Sequence, residues 1–208
     1  KENAATLLYV KLLNKLVFKS ATAILSNSDF AFKAYYPYRK SSDNRFKVIQ
    51  NGVDISLFDS KFTKQECRRK LNIPETAFVV GHVGRYDKAK NHEAVFKAAK
   101  EITAKFDDVL FVFCGKDTDS PLFNERLVYH SIVGRTINLG LRKDLDVVLR
   151  SMDVFYFPSV TEGQPNALIE AILAGLPVVA SDIMPIKEVI PEQGHKYTVA
   201  PHDVDSAV

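Results

Sequence analysis

Glu162 and Glu170, eight residues apart, are the side chains of this 208-residue chain most clearly set up to do chemistry. From Gly163 to Ser181 the only charged residue is Glu170, and its neighbours Ala167, Leu168, Ile169, Ala171 and Ile172 are apolar. A lone carboxylate in such a helix is expensive to bury without a partner. Pro165 suits a first helical position, where its missing N–H is no loss. The free amides of Asn166, Ala167 and Leu168 would then point out of the helix N-terminus, a natural anion site. Asn166 and Glu170 are four apart and share a face. One carboxylate before the amides and one inside the helix suit a ligand with a phosphate in the middle and hydroxyls at both ends.

The cations that such a ligand needs stand earlier in the chain. Gly84-Arg85 leaves an apolar run, Phe78–Val83, and Asp87-Lys88-Ala89-Lys90-Asn91-His92 follows. Gly84 at a strand-to-loop junction lets a ligand approach the backbone. Arg85 and Lys90 flank the loop and can clamp phosphate oxygens. A simple dinucleotide site is disfavoured, because the glycine spacing is not Gly-x-Gly-x-x-Gly. Metal chemistry has little support. Asp117-Thr118-Asp119 is matched equally well by Asp144-Leu145-Asp146 and Asp203-Val204-Asp205, so the pattern discriminates nothing. The five histidines have no ligand spacing. Each reads as packed or solvated, with His82 worth watching for its place near the phosphate loop. Neither cofactor nor metal is expected, and no nucleophile elbow is present.

The block from Pro158-Ser159 through Glu162 and Glu170 to Gly175-Leu176-Pro177-Val178-Val179-Ala180 resembles the retaining glycosyltransferases of sequence family 4, also called glycosyl transferases group 1, which have the GT-B fold. Val48-Ile49-Gln50-Asn51-Gly52-Val53-Asp54, followed by Phe58, is similar to the family's interdomain crossover. The resemblance implies that Glu162 contacts hydroxyls of a donor sugar and Glu170 the ribose of its nucleotide. It implies that Gly84, Arg85 and a following lysine bind the diphosphate. That lysine maps best to Lys90, with Lys88 the rival. Gly163 and the amides after it complete the donor site. Leu139-Gly140-Leu141-Arg142 would border the base, and Arg142 would touch the donor or pair with Asp144 or Asp146. Met184-Pro185-Ile186 departs from the paired glycines of many relatives. The implied partners are a nucleotide-sugar donor and a sugar or lipid-linked acceptor, in bacterial surface polysaccharide or glycolipid synthesis, with no nucleic acid. Two rival readings are a nucleotide-sugar epimerase of the same fold and a non-catalytic doubly wound binding module.

Elements that would position these residues alternate along the chain. Strands are expected at 78–83, 109–114, 136–139, 154–157, 177–180 and 197–200, with one helix capped by Asn91 and others over 121–133 and 142–152 and around Leu168. Strands spaced by helices mean an α/β fold with a parallel sheet covered on both faces. The expected division is a remnant of an acceptor domain plus crossover over 1–54 and a nucleotide-sugar domain over 55–208. A chain starting at Lys1 and stopping in the opening turn of a helix reads as a fragment, expected to transfer nothing alone.

Residues 1–50 hold nine Lys or Arg against three Asp or Glu. An amphipathic helix over 5–20 carries Lys11, Lys15 and Lys19 on one stripe. That stripe permits peripheral attachment to anionic lipid, although a helix buried against a missing domain explains it too. Cys67 and Cys114 fit neither a metal spacing nor a disulfide framework, so a reducing cytoplasm is the expected compartment.

Overall fold

The structure, a computed structural model, describes residues 4–55 and 61–208. Phe58 of the crossover motif lies outside them. The chain divides into two compact units, Lys1–Gly52 and Val53–Val208.

The first unit contains helix α1 (Ala4–Ser20), strand β1 (Ile24–Ser26), helix α2 (Asp29–Tyr35) and strand β2 (Phe46–Val48). β1 and β2 pair in parallel, Ile24 opposite Phe46. Phe18, Phe32, Tyr36 and Phe46 gather around Ile24 in a small aromatic core. Arg45 donates to the carbonyls of Phe18 and Ala21, at 2.7 and 3.1 Å, so a cation closes the C-terminal end of α1. Leu8, Leu12 and Leu16 of α1 are exposed, as are Lys11, Lys15 and Lys19. Among the described residues no helix is long and apolar enough to cross a membrane.

The second unit is a six-stranded parallel sheet of order β5-β4-β3-β6-β7-β8. The strands are β3 (Phe78–Val83), β4 (Val109–Cys114), β5 (Thr136–Asn138), β6 (Val154–Phe157), β7 (Val178–Ser181) and β8 (Thr198–Val199). Val79, Val112, Phe155, Phe157 and Ala180 pack on one face against helices α3 (Lys64–Lys70), α6 (Leu145–Arg150), α7 (Asn166–Leu173) and α8 (Met184–Lys187). Val80, Phe111, Phe113 and Tyr156 pack on the other, against α4 (His92–Lys105), α5 (Pro121–Tyr129) and α9 (Val204–Ala207). Burial on both faces is why these strands read as continuous apolar runs rather than as alternation.

Several expected elements shift. The helix expected over 121–133 stops at Tyr129, and a 3-10 turn follows at Val133–Arg135. The helix expected over 142–152 shortens to Leu145–Arg150, because Arg142 and Asp144 form an ion pair ahead of it. Asn91 stands at the start of α4 but does not cap it. Its φ is +53° and its amide donates instead to the carbonyls of Pro158 and Pro201, at 3.1 and 2.6 Å. α7 starts one residue later than Pro165 would suggest, with Pro165 in the capping position. α3 is an element that its charged sequence concealed. Thr63 and Glu66 form a capping box, and Arg68, 5% exposed, reaches Asp153 at 2.6 Å.

Candidate functional site

The strand order reverses direction between β3 and β6, so the loops at their carboxyl ends open a crevice there. The loop after β3 carries Gly84, Arg85 and Lys90, and the loop after β6 carries Glu162 and Gly163. The backbone ties the two together, Val160 N–H donating to Ala89 O at 2.8 Å. Lys90 Nζ and Glu162 Oε1 then meet at 2.5 Å, with side chains 20% and 9% exposed. The same ammonium lies 5.0 Å above the Phe157 ring. Lys90 is therefore held from two sides by groups that favour a cation.

Close backbone approach makes room for this pair. A Cβ on Gly84 would stand 3.1 Å from His82 Nε2 and 3.2 Å from the Lys90 stem. A Cβ on Gly115, whose φ is +149°, would stand 2.2 Å from the Gly84 carbonyl oxygen. The amides of Gly84 and Tyr86 are taken by the carbonyls of Cys114 and Lys116. This loop thus offers an anion its side chains rather than those two amides. Arg85, 63% exposed, bonds Asp87 at 2.9 Å, and Lys88 is exposed.

The helix N-terminus differs from the sequence expectation. The Asn166 amide donates to Gln164 O at 3.0 Å and the Leu168 amide to Pro165 O at 3.0 Å. Two of the three amides expected to face an anion are thus engaged in the tight Gln164–Pro165 turn. Leu168 itself is fully buried in the core. Asn166 is exposed, and Gly163 and Ala167 are half-buried.

Glu170, four residues along α7 from Asn166, is half-buried, and burial pushes its carboxyl above the ordinary glutamate range. Among the described residues no donor or cation meets that carboxylate. Glu162 has a partner in the free protein, whereas Glu170 has none among the described residues.

A cleft of about 330 Å³ adjoins Gly84 and Arg85 and continues along Gly115, Lys116, Leu141 and Arg142. Arg142 is clamped by Asp144, with Nε to Oδ1 at 2.9 Å and Nη2 to Oδ2 at 2.7 Å. A larger apolar groove, about 440 Å³, is lined by Phe78, Ile102, Val109 and Val154. It opens at the amino ends of the strands, away from the charged loops, and has none of the chemistry described here. Among the described residues no three His, Cys, Asp or Glu side chains stand together as a metal site.

His92, read from the sequence as packed or solvated, is packed: it is 2% exposed and lies edge to face on His82 at 4.6 Å, a pairing the sequence reading did not foresee. Its position two residues after Lys90 was the available signal. Sequence reasoning also overlooked Phe157 as the platform under Lys90.

A profile of the family described as glycosyl transferases group 1 matches residues 63–208. The Escherichia coli UDP-Gal:alpha-D-GlcNAc-diphosphoundecaprenol alpha-1,3-galactosyltransferase is 32% identical, over 79% of this chain and 43% of that one. A sulfoquinovosyl transferase of Arabidopsis thaliana is 30% identical, over 79% of this chain and 32% of its own length. The chain spans less than half the length of the curated relatives it matches. Among solved structures, HepE of Anabaena in complex with UDP and glucose superposes with a TM-score of 0.75 at 23% identity, covering 88% of this chain and 50% of that one. The likeness to that structure is one of fold. The matched profile, which takes in both loops of the crevice and all of α7, shows that the chain belongs to the glycosyl transferases group 1 family.

Proposed function

We propose that the chain is the donor-binding half of a retaining glycosyltransferase, which moves a hexose from a nucleotide diphosphate to an acceptor hydroxyl. The observation that carries this reading is the Lys90–Glu162 pair at 2.5 Å, at the point where the strand order reverses. Glycosyl transfer breaks the anomeric C–O bond, so positive charge grows on the sugar ring and negative charge on the leaving diphosphate. Lys90 and Arg85 take up the negative charge, aided by the N-terminus of α7. The donor draws Lys90 and Glu162 apart, giving the ammonium to the phosphates and the carboxylate to the sugar hydroxyls. Glu170 accepts from the ribose hydroxyls, which relieves its lack of a partner. In these roles both carboxylates bind hydroxyls rather than the anomeric carbon, which supports same-face attack within an ion pair rather than a double displacement.

With Lys90 and Arg85 on the diphosphate, the reaction proceeds without a metal. The galactosyltransferase relative uses UDP-Gal by its name, and HepE was solved with UDP, which together favour a uridine diphosphate donor. The relatives' names also favour an acceptor in surface polysaccharide or glycolipid synthesis. The test is incubation of the full-length protein with UDP-hexoses and a lipid-linked sugar acceptor, with and without chelator, followed by NMR of the new linkage. An α-linked product from an α-donor, formed in chelator, is the expected result. A β-linkage would refute retention, and strict dependence on manganese would refute the metal-free route.

A further inference from the structure

His82 lies on β3 two residues before Gly84 and is 1% exposed. Its Nδ1 stands 2.9 Å from the Tyr156 carbonyl oxygen. A carbonyl only accepts, so Nδ1 carries the proton and Nε2 is a bare lone pair. Among the described residues Nε2 has no hydrogen-bond partner. A point 3.1 Å from Nε2, where a Gly84 Cβ would be, is also 3.2 and 3.3 Å from Lys90 Cγ and Cδ. The lone pair therefore flanks the lysine's stem, across the bare side of Gly84.

The surroundings leave His82 little freedom. Its ring stacks on Phe157, centroids 6.1 Å apart, and Phe157 is also the platform beneath the Lys90 ammonium. His92 closes the other side, edge to face at 4.6 Å, and is itself enclosed by Tyr86, Phe113 and Phe123. Burial keeps both imidazoles neutral, taking His82 to about 4 and His92 to about 2, and the charge of Lys90 pushes both the same way. Phenylalanines fill the places around the two imidazoles. A buried acceptor facing no donor is disfavoured. The cation beside this one is Lys90.

We propose that His82 is a positioning residue for Lys90: its bare Nε2, aimed by the Tyr156 carbonyl and walled in by His92, holds the lysine beside the phosphate path once Glu162 is drawn away. The claim rests on the donor reading for one point only, the departure of Glu162. His82 touches no substrate and acts through Lys90.

Substitution can reproduce that departure without any ligand. Glu162→Gln removes the charge that anchors Lys90 in the free protein. In that background the rate of Lys90 acetylation by acetic anhydride, read by mass spectrometry against Lys88, reports how firmly the ammonium is held. His82→Asn keeps a donor for Tyr156 and lacks an acceptor at the Nε2 place, whereas His82→Phe keeps an aromatic ring, a larger one, and lacks both. Each should speed Lys90 acetylation about fivefold, the equivalent of one ordinary hydrogen bond, with Lys88 unchanged. Equal rates in the presence and absence of His82 would overturn the proposal. So would an effect of Phe without one of Asn, which would assign the role to the Tyr156 bond. Parallel acceleration of Lys88 would overturn it too, by showing local unfolding. Calorimetry of the wild-type protein with UDP tests the donor reading separately. Failure there would leave the Lys90 comparison standing.

Discussion

Glu162, in the loop after β6, and Glu170, in the second turn of α7, are two carboxylates of one short segment in opposite states. Glu162 is nearly buried and meets Lys90 at 2.5 Å, whereas Glu170 is half-buried and unmet by any described side chain. A buried charge without a partner destabilises a fold, and a protein keeps one where function needs it. The free protein can hold Glu162 and Lys90 in reserve because each neutralises the other. Among the described residues none does that for Glu170, and under the proposed function a ribose hydroxyl would. Under the proposed function the donor displaces the internal contact of Glu162 and supplies the partner that Glu170 lacks among the described residues.

Breaking the paired side should have the largest effect. Lys90→Ala removes a cation from the diphosphate and strands Glu162, and we expect glycosyl transfer by the full-length protein to fall by about 10²–10³. Steady-state rates with a UDP-sugar check this, and a loss no greater than that of Lys88→Ala would assign the phosphate role to Lys88. The unpaired side should show a smaller effect of opposite sign on stability. Because folding raises the Glu170 pKa, the folded protein binds its proton more tightly than the unfolded chain. That contribution is present at acid pH and is lost as pH rises through the raised value. Glu170→Gln should therefore stabilise the free protein at neutral pH by about 0.5–1 kcal/mol. Urea melts at neutral and mildly acid pH check it, the gain shrinking toward acid; a variant less stable than wild type would mean that Glu170 has a partner after all. The smallest effect is on binding against pH. UDP affinity of the wild type should weaken toward acid more steeply than that of Glu170→Gln, whose remaining slope belongs to the phosphate.

How much of this was legible depended on which residues decided each feature. β3, β4 and β6 have the bounds expected from their apolar runs, since strands buried on both faces are spelled out locally. The parallel sheet followed from their alternation with helices. α3 was hidden because Lys64-Gln65-Glu66-Cys67-Arg68-Arg69-Lys70 reads as a charged loop. Its stability comes from a capping box, visible as Thr63-x-x-Glu66, and from a tertiary pair between Arg68 and Asp153 that lies 85 residues away. Within the site, the two-carboxylate block and Gly84-Arg85 were readable in the chain. Their meeting was not, because Lys90 and Glu162 are 72 residues apart and only the strand order brings their loops together. The amides of Asn166 and Leu168 were misread because Pro165 bends the chain into a turn that uses them. Asn91 was misread for a similar reason, its amide serving two distant carbonyls instead of its own helix.

The central claim, that Glu170 stays unpaired to receive a ribose, is tested most directly by a double substitution of protein and ligand. Titration calorimetry would compare UDP with its 2′,3′-dideoxy analogue on the wild type and on Glu170→Gln. A hydrogen bond to a charged group is worth about 1.5–3 kcal/mol, so Glu170→Gln should weaken UDP binding by about tenfold or more. The dideoxy analogue, lacking the hydroxyls, should bind both proteins alike. Equal losses for the two ligands, or no loss for UDP, would contradict the account.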